Sequence, residues 1–101
     1  MDDDERKEWV HTKRSKGNKL VSEQEYDKAI DAYLEALSGL SFKDEQLIVD
    51  NKIPILNNIG HCMIKKGMHE RALAILDEVV KLDPSNFKAH IRKARCFIDL
   101  T

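Results

Sequence analysis

Breakers of regular structure are scarce in this sequence: two prolines and four glycines in 101 residues. Proline stops or kinks a helix and glycine weakens one, so their scarcity suits an all-helical chain. Cysteine is equally scarce, with only Cys62 and Cys96. Both fall on apolar helical faces. Two such cysteines make no disulfide framework, so a reducing compartment, the cytoplasm, is expected. No apolar run approaches the roughly 18–20 residues that cross a bilayer. The opening MDDDERKE holds no apolar segment of the kind a secretory signal requires. Charge of one sign is lacking too. Lys and Arg number 17 against 18 Asp and Glu, a net charge of −1, and nucleic acid is not an expected partner.

Catalytic signatures are also missing. No Ser-His-Asp order, Gly-rich phosphate loop or paired-carboxylate pocket can be picked out. His61 and Cys62 are adjacent, and neighbours on a helix point about 100° apart, so they make a poor ligand set. His69 and His90 lie elsewhere. Neither a metal, a cofactor nor an enzymatic activity is expected.

What the chain does have is helical periodicity. Apolar residues make up 42% and charged residues 35%, which suits one domain of thin helices with a modest core. Through Ile53–Asn86 apolar residues recur at helical spacing at Ile55, Leu56, Ile59 and Met63. Gly67 breaks the pattern. It resumes at Ala72, Leu73, Leu76, Val79 and Val80, and Pro84 stops it. Leu56, Ile59, Gly60, Met63, Ala72, Leu76 and Pro84 fall on the pattern W-x2-L-G-x2-Y…A-x3-F…P. This stretch therefore resembles a tetratricopeptide repeat (TPR), in which small Gly60 and Ala72 let two antiparallel helices approach closely.

The unit recurs. Upstream, Lys13, Lys16, Gly17, Leu20, Ala29 and Tyr33 take corresponding places, two lysines standing where large apolar residues belong. Downstream, His90, Lys93, Ala94 and Phe97 begin another copy. Gly60 and Ala94 are 34 residues apart, Gly17 and Gly60 are 43 apart, so nine residues are inserted. The expected fold is all-α: antiparallel helix pairs stacked as a TPR right-handed superhelix of about two and a half repeats. Repeat 1 spans about 10–43, an insertion about 44–52, repeat 2 about 53–86 and a partial repeat 3 about 87–101.

Helices are expected from the acidic start to Ser22, then about Gln24–Leu40, 69–82 and 86–100. Asp2–Asp4 and Ser85 or Asn86 are the capping candidates. The second helix carries Tyr26, Ala29, Ile30, Tyr33, Leu34 and Leu37 on its apolar stripe. The insertion is read as lengthening one or both adjoining helices. Pro54 either kinks a long helix or opens a new one. Tyr26, Tyr33, Phe87, Phe97 and Met63 are read as core. The last helix lacks a partner, which would leave Phe97, Ile98 and Leu100 partly exposed and suggests a piece of a longer protein.

In such an array the first helices of successive repeats line the concave face. Arg14 and Asn18, four apart, share a face there. Asn58 lies two residues before Gly60 and Arg92 two before Ala94, in equivalent places; Lys88 is one turn before Arg92. Asn57 points about 100° away from Asn58 and is left out of the set. Five residues, three cations and two amides, thus converge on one groove. This is similar to the dicarboxylate clamp of co-chaperone TPR domains. The resemblance implies that Arg14 stands where the family has a basic residue, usually lysine. Asn18 follows Gly17 in a Gly-Asn pair, Asn58 is the second-repeat asparagine, and Lys88 and Arg92 form the third-repeat K-x-x-x-R. It implies a peptide-binding adaptor whose partner is the C-terminal Glu-Glu-Val-Asp tail of heat-shock protein 90, heat-shock protein 70 or both. A generic TPR scaffold, or the TPR part of an immunophilin or phosphatase, is the alternative.

Overall fold

In the computed structural model, which describes residues 1–101, the chain is five helices without a strand. Asp2 opens α1 (Asp3–Ser22) by accepting the Glu5 amide at 2.8 Å. Acidic Asp3, Asp4 and Glu5 fill the first turn, where the helix dipole favours negative charge. Gln24 then takes a left-handed φ of 61°, so α2 (Tyr26–Ser38) begins two residues later than the sequence suggests; it also ends two earlier, with Gly39 as its C-cap.

The inserted residues follow a short connector and lie almost wholly in a helix. Phe42, in the connector, is buried in the core. Asp44 caps α3 (Glu45–Lys65) by accepting the Gln46 and Leu47 amides. The insertion thus adds about two turns to the front of α3, and Pro54 sits inside the continuous helix instead of opening a new one. Gly67, at φ 77°, makes the turn into α4 (His69–Leu82). Asn86 caps α5 (Phe87–Leu100) through the Ala89 amide at 2.9 Å.

Each helix packs on the next, and α3 also meets α5 directly. The helices are therefore stacked antiparallel pairs. α1, α3 and α5, the first helices of successive units, lie along one side. α3 is the spine of the core. Its Ile55, Ile59 and Cys62 pack with Val10, Ala29, Tyr33, Ala36 and Phe42. Its Leu56 packs with Ala72, Leu76, Val79, Ala89 and Cys96. A Cβ at Gly17 would lie 2.5 Å from the Tyr33 ring, and one at Gly60 would lie 2.8 Å from Leu76. These glycines set the distance between paired helices. Lys13, in a place the repeat gives to an apolar residue, pairs with Glu35 at 2.8 Å and covers the Trp9 ring.

Two apolar residues read as core, Leu34 and Phe87 (74%), are exposed instead; Phe97 (57%), read both as core and as left bare by the unpaired last helix, is exposed as well. Nothing in the structure covers the outer face of α5, where Ile91, Ile98 and Leu100 are exposed as well. No helix is long and apolar enough to cross a membrane.

Candidate functional site

The α1, α3 and α5 side of the stack is held together by amides. On α1, Asn18 Oδ1 accepts from the Tyr33 hydroxyl at 2.6 Å and from Asn58 Nδ2 at 3.3 Å. Both lone-pair directions of that oxygen are then used, and the Asn18 NH2 group makes no protein hydrogen bond. Tyr33 comes from α2 and is 1% exposed. Burial, foremost, and the nearby Cys62 push its phenol up to about 12, against the pull of the Asn58 amide, Arg14 and Arg92. It therefore stays a donor at neutral pH and fixes which way the Asn18 amide faces.

Arg14, one turn before Asn18, donates to Asn51 Oδ1 at 3.2 Å. On the far side, Arg92 Nη1 donates to the Asn57 carbonyl at 2.9 Å and to Asn57 Oδ1 at 3.3 Å. Asn57 Nδ2 donates in turn to Asn86 Oδ1 at 2.9 Å, the same oxygen that caps α5. Burial lowers the pKa of the Arg92 guanidinium, though arginine remains charged at neutral pH.

Between these contacts lies a cavity of about 360 Å³, lined by Arg14, Ile53, Pro54, Asn57, Asn58, Asn86 and Lys88. No carboxylate lines it. Arg14, Lys88 and Arg92 are also absent from the ion pairs of the molecule, whereas Lys13, Lys52 and Lys93 each pair across helices with Glu35, Glu78 and Asp77. The cavity thus gathers positive charge and amide donors without a counter-ion, which suits a ligand carrying carboxylates. A hollow of about 430 Å³ beside the α3–α4 turn offers less, since its Glu70 and Arg71 oppose each other and its His69 is bound to Asp99.

Of the five residues singled out in the sequence, Arg14, Asn58 and Lys88 line this cavity. Asn18 stands at its edge through Asn58. Arg92 is not on its wall but is held against Asn57, which is. Sequence reasoning missed Asn51, Asn57, Asn86 and Tyr33. Asn57 does face away from Asn58, but toward α5, and it lines the same cavity at 4% exposure. The adjacent pair Asn57-Asn58 was the one available signal, two amides side by side between apolar Ile53–Leu56 and Ile59. His61 and Cys62 join no cluster able to hold a metal.

Residues 53–86 match the tetratricopeptide repeat family. Over 90 residues, 85% of its length, the chain is 30% identical to zinc finger CCCH domain-containing protein 7A of Homo sapiens. It is 27% identical over 89 residues to zinc finger CCCH domain-containing protein 7B of the same organism. The chain spans 9% of the length of each. With the five stacked helices around it, the stretch from Ile53 to Asn86 is a tetratricopeptide repeat in an all-helical repeat fold, an architecture that serves as a protein–protein interaction scaffold.

Proposed function

We propose that this domain is an adaptor that binds the free C-terminus of an acidic peptide through a dicarboxylate clamp, the tail Glu-Glu-Val-Asp of heat-shock protein 90 or 70 being the ligand. The observation that carries this reading is the cavity with Arg14, Asn58 and Lys88 on its walls and no carboxylate to neutralise them. A C-terminal aspartate presents two carboxylates, one on the main chain and one on the side chain. Guanidinium and ammonium groups supply charge-assisted donors for both. The free NH2 of Asn18 adds a neutral donor at the edge, oriented by Tyr33. Ile53 and Pro54 give the wall an apolar stretch against which a valine packs.

Calorimetric titration with a Glu-Glu-Val-Asp peptide tests this. The free acid is expected to bind with roughly micromolar affinity, about −8 kcal/mol. Amidation removes one carboxylate and is expected to cost about tenfold or more, since each charge-assisted bond contributes about 1.5–3 kcal/mol. Added salt weakens the acid more than the amide, because screening acts on charge pairs. Equal affinities for acid and amide would leave a scaffold without a carboxylate clamp.

A further inference from the structure

The geometry points to Asn51 and Asn57 as positioning residues that aim Arg14 and Arg92 while leaving both charges free for the ligand. The inference rests on the clamp reading above and says how this chain prepares it.

Other cations that tie one helix to another are held by acids. Lys93 meets Asp77 at 2.7 Å and Lys13 meets Glu35 at 2.8 Å. Half-buried arginine ordinarily takes a carboxylate partner too, because a desolvated charge is costly unless paired. Arg14 and Arg92 take amide and peptide oxygens instead. A carboxylate there would compete with an incoming anion; a neutral oxygen holds the guanidinium without cancelling it. One nitrogen of each fork is occupied in these contacts, and the remaining donors can meet a carboxylate.

Both amides have their orientation imposed from outside. Asn51 Nδ2 donates to the Leu47 carbonyl at 2.8 Å, an acceptor only, so its oxygen must turn to Arg14. The Ala89 amide is a donor only and claims Asn86 Oδ1. Asn57 therefore offers its NH2 to Asn86 and its oxygen to Arg92. The first device depends on the insertion, since Asn51 stands on the turns it adds to α3. The second depends on the cap of α5, so helix start and arginine aim are set together.

The test uses Asn51→Asp, Asn57→Asp and the matching alanine variants, titrated with the acid and amide peptides. Aspartate keeps the shape and adds an internal counter-ion. The expected result is a loss of about tenfold for the acid peptide and a fall of the acid-to-amide ratio toward one. Alanine leaves the charge but not the aim, and costs several-fold less. A purely structural role would weaken both peptides alike and keep the ratio. Should Asn57→Asp fail to fold, Asn51→Asp carries the test, since Asn51 is only half-buried. In an Arg14→Ala background the effect of Asn51→Asp should vanish. If it persists in full, the new charge merely repels the peptide and the inference falls. It falls alone if the wild type discriminates acid from amide and the aspartate variants do so equally well. If the wild type does not discriminate, the clamp and this inference go together.

Discussion

Tyr33 joins the core to the groove. Its ring is packed against Gly17, and its hydroxyl is the shorter of two bonds that fix Asn18. Tyr33→Phe keeps the ring and removes the donor. The expected loss is about 1 kcal/mol of stability, the net value of one buried hydrogen bond. Affinity for the acid peptide should fall by about threefold, because Asn18 is then free to turn its oxygen toward the ligand. Denaturant melts and titration measure the two. Lost stability with unchanged affinity would make Tyr33 a core residue and nothing more. The sequence marked Tyr33 as core because its place in the repeat is apolar; it could not reveal where the hydroxyl reaches. The same limit hid Asn57 and Asn51. That Asn18, Asn58 and Arg92 share one side of the stack was legible because repeat spacing sets their places. A contact made across helices by the end of a side chain leaves no period to read.

Elements were legible where a local signal sets them. Asn86 caps α5, Gly67 turns the chain, and α4 runs from His69 to Leu82 as its periodicity requires. They were less legible where the signal is weak. Nothing about Gln24 announces a left-handed residue, and so the expected α2 starts too early. Pro54 removes a donor from the Asp50 carbonyl, yet Asp50 is exposed and water can serve that carbonyl, so α3 continues. The helix pairs depend on two glycines with different neighbours. At Gly17 three atoms of the Tyr33 ring lie within 2.8 Å of an added Cβ. At Gly60 the obstacle is the buried Leu76 side chain, with Cδ2 at 2.8 Å and Cγ at 3.0 Å, which yields by a smaller shift than an aromatic ring. Gly17→Ala should therefore cost about 2–3 kcal/mol and Gly60→Ala about 1 kcal/mol, both overpacking effects partly offset by the better helix propensity of alanine. Thermal melts give the order. The reverse order would mean that α1 and α2 yield more easily than α3 and α4.

Across the whole molecule, stability should follow how many neighbours each helix has. Repeat stacks gain stability from nearest-neighbour interfaces, and poorly packed segments open locally first. α3 feeds both halves of the core. α5 is covered on one side, through Ala89 and Cys96, while Phe87, Ile91 and Ile98 face outward. Polar ties to α3 and α4 hold it: Asn57 to its cap, Arg92 to Asn57, Lys93 to Asp77, and His69 to Asp99 at 2.9 Å. The sequence anticipated the bare end at Phe97, Ile98 and Leu100 but put Phe87 in the core, because periodicity assigns a face and cannot say whether anything covers it. Amide exchange is therefore expected to be slowest in α3 from Ile55 to Cys62 and fastest, among helices, in α5. Lys88 and Arg92 are on α5, so the opened state lacks two of the three groove cations and should not hold the ligand. Acid peptide at 100 times its Kd should then slow exchange in α5 by up to about 2.7 kcal/mol of opening free energy. In α3 the gain can be no larger. Exchange followed by mass spectrometry with acid peptide, amide peptide and none reads this directly. Protection that appears in α1 alone would show that α5 takes no part in binding, and uniform exchange without peptide would show that the five helices open as one unit.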